Sequence, residues 1–194
     1  MNKPLALALV LWVGGAWPLS SRAAVTVYSD KAQWSAALTA GFQTEDFADS
    51  VLNTGVSFVS TESGHVNTAE ECYQDVLASQ SHNEPMTTWS FTPQVTAYGG
   101  EWTLGGPGGS GNSLLVYIAD SSQYVGAISN SYGGGFWGFI CDSAFSSVKL
   151  VGGSGSNQQN YRLDNMVYGI VPEPATHGLL VIAGLVLMRR RRWL

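Results

Sequence analysis

Two histidines, His65 and His82, lie in the body of this 194-residue chain, and a third, His177, lies near its end. With serine plentiful, a Ser–His–acid hydrolase is the first chemistry to weigh. Neither Gly108-Gly109-Ser110-Gly111 nor Gly152-Gly153-Ser154-Gly155 has the Gly-x-Ser-x-Gly spacing of a nucleophile elbow. Residues 106–111 spell a dinucleotide fingerprint by letters, yet they open no helix and read as a loop. A glycosidase needs two carboxylates about 5–10 Å apart in one cleft. Glu45, Asp46, Asp49, Glu70, Glu71, Asp75 and Glu101 are the candidates, and sequence alone does not pair them. The expectation is a protein without enzymatic activity, with a secreted hydrolase kept as an alternative.

Metal chemistry is thinly supported. A structural Ca²⁺ would draw oxygen ligands from Asp164 and Asn165 with Asp30, Asp46 or Asp49, if the ends of the domain converge. His65, Glu70, Glu71, Cys72 and His82 form the one zinc-like cluster, and its spacing fits no standard site. No cofactor is therefore expected, Ca²⁺ being the alternative. Cys72 and Cys141 are the sole cysteines, and an even count in an exported domain favours a disulfide. Closing a loop of about 70 residues would stabilise the fold by about 4 kcal/mol in the chain-entropy model.

Aromatic rings offer a different chemistry, the stacking of sugar rings. Tyr98, Trp102, Tyr132, Phe136 and Trp137 stand beside glycine-rich turns where rings can be exposed. Large aromatics more often fill a core, and Trp89 with Phe91, like Tyr98 with Trp102, share a face by alternation. Tyr98, Trp102, Tyr132 and Trp137 are the sugar-stacking candidates, with a polysaccharide as the ligand.

These residues must be held by short strands. Gly, Ser, Thr, Val and Tyr dominate the body of the chain, and turn residues interrupt it often. One helix is expected over residues 31–40, capped by Ser29 or Asp30, with Trp34, Ala37 and Leu38 on one face. Strands are expected near 25–28, 42–47, 56–59, 73–78, 88–91, 95–104, 114–118, 124–129, 135–140, 147–151 and 161–168. That pattern, without strand–helix alternation, predicts an all-β fold: an antiparallel β-sandwich, jelly-roll-like, with one short N-terminal helix.

Both ends read as addresses. Lys3, an apolar stretch over 5–17 and Ser21-Arg22-Ala23 make a secretory signal peptide spanning residues 1–23, cut by signal peptidase between Ala23 and Ala24. At the other end an apolar run over 178–188 is followed by Arg189, Arg190, Arg191 and Arg192. Arginines resist translocation, so they hold this end in the cytoplasm while the body faces the other side. The run is 11 residues, or 14 with Ala175 to His177, and 14 residues reach about 21 Å of a ~30 Å hydrocarbon core, a marginal membrane helix suited to a transient stop.

Removing the ends changes the charge. Lys3 and Arg22 lie before the body and the four arginines after it, so Lys31, Lys149 and Arg162 are its only basic residues against thirteen acids. A balance near −10 argues against nucleic acid and against anionic polymers as partners.

The tail, Val171-Pro172-Glu173-Pro174 followed by the apolar run and the arginine block, resembles the PEP-CTERM sorting signal of exopolysaccharide-producing Gram-negative bacteria. The resemblance covers residues 171–194 and rests on Pro172, Glu173 and Pro174 with Arg189 to Arg192. It implies exosortase as a partner, cleavage near the motif, an inner-membrane intermediate, and delivery to the cell surface or extracellular matrix. Residues 24–170 are similar in texture to β-sandwich passenger domains of such proteins, through blocks such as 95–104, 130–139 and 161–168. Domains of that group generally lack an assigned activity, so the resemblance transfers no catalytic residue. The expected role is structural, in envelope or biofilm, with an exopolysaccharide-binding module, carried by the aromatic rings, as the alternative.

Overall fold

The computed structural model describes residues 23–38, 41–78, 84–105, 113–152 and 158–169. The signal peptide, the sorting motif and the short membrane helix expected from sequence lie outside these residues, apart from Ala23 and Ala24. No helix among the described residues is long and apolar enough to cross a membrane.

The described chain is an all-β antiparallel sheet with one short helix. Its elements run β1 (Val25–Tyr28), α1 (Lys31–Ala37), β2 (Phe42–Glu45), β3 (Val56–Ser60), β4 (His65–Asn67), β5 (Cys72–Ala78), β6 (Met86–Gly105), β7 (Leu114–Ile118), β8 (Gln123–Ile128), β9 (Gly133–Val151) and β10 (Gln158–Gly169). All ten strands join one hydrogen-bonded sheet, ordered β4-β5-β10-β6-β9-β7-β8, with β1 on β9, β2 on β10 and β3 on β6.

Two long strands give the sheet its shape. Sequence reading split each into two, because Thr92-Pro93-Gln94 and Asp142-Ser143-Ala144 break the apolar alternation. The backbone instead stays extended through both breaks and changes partners. Residues 86–91 of β6 pair with β3 and the end of β9, whereas residues 97–105 pair with β10 and the start of β9. The register shifts between Ser90 and Val95 mark the corner. Beyond it the sheet folds back on itself. Phe58 and Trp89 from the β3 side meet Tyr73 from β5 at centroid distances of 4.7 and 4.9 Å, so the two halves face each other across one core.

Helix α1 begins where Asp30 accepts a hydrogen bond from Gln33 N at 2.8 Å, filling one orphan donor of the first turn. It ends at Ala37, shorter than expected, with Ala37 exposed and Leu38 at the C-cap. Trp34 is its one buried residue. The indole covers the outside of the β6–β9 ladder, donates from Nε1 to Phe139 O at 3.2 Å, and contacts the Phe136 ring. Gly99 and Gly138 make room for that contact. A Cβ on either would come within 3.0 Å of the opposite glycine's Cα and 2.9 Å of the Phe136 ring.

Candidate functional site

The outer face of the first half of the sheet is divided in two. Helix α1 covers the part over Ala97, Gly99, Gly138 and Val167, where Trp34 and Phe136 pack. Beside the helix the face is open and polar. Alternation along β5, β10 and β6 turns Tyr73, Tyr161, Leu163 and Trp102 inward and leaves Cys72, Gln74, Arg162, Asp164, Glu101 and Thr103 outside. Register aligns Gln74, Arg162 and Thr103 in one row across three strands, and Val76, Asn160 and Gly105 in the next.

Together they line a groove of about 380 Å³, continued by a smaller recess of about 130 Å³ that shares Thr103 and Arg162. The larger volume falls within the ~300–1,000 Å³ range usual for ligand sites. The side chains offer amides, a guanidinium, a hydroxyl and carboxylates, donors and acceptors mixed. Arg162 Nη1 lies 2.5 Å from Glu70 Oε2, and the Gln74 amide donates to the same oxygen at 2.9 Å. On the helix side Lys31 Nζ meets Glu101 Oε1 at 2.9 Å, while Asn165 Nδ2 donates to Glu101 Oε2 at 3.2 Å. Asn165 can do so because it sits in a β-bulge with φ 45°, a left-handed conformation that asparagine tolerates. Burial raises the Asp164 carboxyl above its ordinary value, against the Asn165 backbone N–H, and the Glu101 and Glu71 charges add to the rise.

Several sequence-derived assignments are overturned here. Tyr98, Trp102 and Trp137 belong to the core, at 0%, 0% and 4% exposure, and Phe136 is buried beneath α1. Trp102 donates to Trp137 O at 3.0 Å, whereas the Tyr98 hydroxyl finds no partner. Tyr132 is half-buried against the same core. The neighbouring glycines admit close packing of rings and strands rather than exposing rings at a turn: a Cβ on Gly126 would meet the Trp137 ring at 3.3 Å, and one on Gly135 the Tyr132 ring at 3.3 Å.

The expected disulfide is likewise not formed, and both thiols are free and buried. Cys141 points into the core from β9, whereas Cys72 lies on the outer face of β5, with β10 and β6 between their strands. Neighbouring strands are ~4.8 Å apart, and bridged Cα atoms need to lie within ~7 Å. Burial raises both thiols above the ordinary value.

Of the carboxylates considered for hydrolysis, Glu70 and Glu101 come together at the recess with Asp164. Glu45 is buried and accepts the backbone N–H groups of Phe47 and Asn53. Asp75 is buried in the core and accepts hydroxyl hydrogens from Ser60, Tyr73 and Thr87. Asp30, Asp46 and Asp49, named for calcium, each accept a local backbone N–H. No group of three His, Cys, Asp or Glu that could hold a metal occurs among the described residues. His65 is exposed, its Nδ1 at 2.9 Å from Ser63 O, and His82 lies outside the described residues.

Sequence reading missed the rings that are accessible. Phe42 is 39% exposed and leans on Trp34, and Tyr124 is 52% exposed on β8. No motif marks them, because alternation gives the shared face of a strand but not which face meets the core.

The fold defines an all-β antiparallel protein with a polar groove beside a capping helix. No family model and no curated protein sequence matches the chain. Among solved structures it is similar to a mutant of CBM29-2, a family 29 carbohydrate-binding module whose ligand recognition that structure probes. The identity is 12%, the TM-score 0.46, and the match covers 70% of this chain and 97% of that one.

Proposed function

We propose that this chain is an exported protein of the cell surface or extracellular matrix, a jelly-roll-like β-sandwich sorted by exosortase through Pro172-Glu173-Pro174, and that its role is structural rather than enzymatic. The observation that carries this reading is where the sheet lies between the two processing sites. Strand β1 starts at Val25, directly after Ala24, and β10 ends at Gly169, just before Pro172. Cutting at both sites would leave every strand whole. The cut after Ala23 would remove one hydrogen bond, from Gln123 Nε2 to Ala23 O, while Ala24 O keeps its bond from Asp142 N.

Fractionation of cells with and without exosortase tests the reading. The protein is expected at the surface or in the medium of normal cells, and in the inner membrane of cells lacking the enzyme. The same distribution in both strains would overturn it.

A carbohydrate-binding role is the second reading, favoured by the mixed donors and acceptors of the groove formed by Gln74, Thr103, Asn160 and Arg162. Each of the three basic side chains in residues 24–170 is already paired: Lys31 with Glu101, Lys149 with Glu84, and Arg162 with Glu70. With acids in such excess, the ligand favoured is an uncharged polysaccharide.

A further inference from the structure

The second half of the sheet has an outer face of different character. Register carries one row of side chains across five strands: Val59 of β3, Thr88 of β6, Lys149 of β9, Tyr117 of β7 and Tyr124 of β8. Their sequence neighbours Phe58, Trp89, Val148, Leu150, Val116 and Ile118 turn into the core, so this row faces away from it. The Tyr117 and Tyr124 rings lie 5.4 Å apart at 59°, and Lys149 Nζ stands 5.2 Å from the Tyr117 centroid. Beside them runs a row of hydroxyls, Ser57, Ser90 and Ser147.

We propose that this face is the contact surface for an uncharged polysaccharide strand lying across β3, β6, β9, β7 and β8. The inference rests on the carbohydrate-binding reading above and assigns it a second surface, on the half of the sheet opposite the groove. Four inter-strand steps of ~4.8 Å make the row roughly 19 Å long. Small-molecule sites are concave, whereas a row of side chains of that length suits an extended polymer. Tyrosine offers an apolar ring for the carbon face of a sugar and a hydroxyl for its rim. Charge selects the polymer: Lys149, the one basic side chain of this row, is held by Glu84 at 3.4 Å and by the Tyr117 ring, and so is not free for a polyanion. The acid excess of the domain repels one.

Affinity electrophoresis of the mature protein tests this, with the exopolysaccharide of the producing cells separated by anion exchange into neutral and acidic fractions. The wild type is expected to be retarded by the neutral fraction alone. Tyr124→Ala and Tyr117→Ala should each weaken retardation about tenfold, and Tyr124→Phe should keep most of it. Tyr124 is half-exposed, so an unchanged unfolding transition should confirm that its variant folds. Retardation unchanged in both alanine variants but lost in Arg162→Ala would overturn this inference and leave the groove reading standing. A wild type retarded by neither fraction would overturn both. Retardation by the acidic fraction alone would overturn the choice of polymer. A dimer in sedimentation velocity that Tyr124→Ala dissolves, without any polymer binding, would make the face an interface between copies and overturn the proposal.

Discussion

The Asp75 carboxylate on β5 accepts the Thr87 hydroxyl on β6 at 2.6 Å, joining the two halves of the sheet through the core. Both residues are buried, and the Tyr161 hydroxyl donates to Thr87 Oγ1 at 2.6 Å behind them. Ser60 and Tyr73 give Asp75 two more donors, at 2.7 and 3.1 Å. All three hydroxyls donate to Oδ2 and the Val76 N–H donates to Oδ1, so both oxygens of this buried group are satisfied.

The first prediction follows from that cluster. Thr87→Val removes one donor to Asp75 and the acceptor of Tyr161, and should cost about 1–3 kcal/mol. Asp75→Leu strands three hydroxyls and should cost more. Denaturant unfolding measures both, and wild-type stability in Asp75→Leu would show that the cluster contributes nothing.

A second prediction separates core from surface aromatics. Trp102→Ala should lose about 3–5 kcal/mol of stability, because Trp102 is fully buried and its Nε1 is satisfied by Trp137 O. Tyr124→Ala should change stability by less than about 0.5 kcal/mol. Equal effects at the two positions would contradict the inward and outward assignment.

The thiols give a third. Unfolded without reductant, the mature protein should take up two equivalents of iodoacetamide, at Cys72 and Cys141. Native protein should react slowly at both, since burial raises both thiols. No uptake after unfolding would restore the bridge.

The fourth concerns pH. Burial raises the Asp120 carboxyl, but hydrogen bonds from the Ser147 hydroxyl and from the backbone and hydroxyl of Ser146 outweigh it and leave the group below its ordinary value. A carboxyl depressed by folding stabilises the native state above its unfolded value, near 3.9, and loses that contribution as pH falls through the folded value. Asp120→Asn should therefore lower the Tm at pH 7, and the two melting curves should converge below pH 4. A constant difference down to pH 2 would sink this account of Asp120.

The strands were largely readable because period-two alternation survives wherever one face meets the core, as in Leu114–Ile118. Their continuity was not. Pro93 and Asp142 interrupt the pattern where β6 and β9 turn the corner, and nothing local says that an extended chain continues past them. The groove shows the same limit. Arg162 and Glu70 are 92 positions apart in sequence, and only the pairing of β10 with β5 brings them to 2.5 Å. Tyr98 and Trp102 were rightly placed on one face, but which face is covered depends on the opposing half of the sheet.

The export and sorting of this domain are tested most directly by an intact-mass measurement of the protein from cells with and without exosortase. Normal cells should yield a chain that begins at Ala24, ends near Pro172-Glu173-Pro174 and lacks Arg189 to Arg192, and cells lacking the enzyme should yield one that keeps them. Arg189 to Leu194 intact on the protein from normal cells would contradict the account.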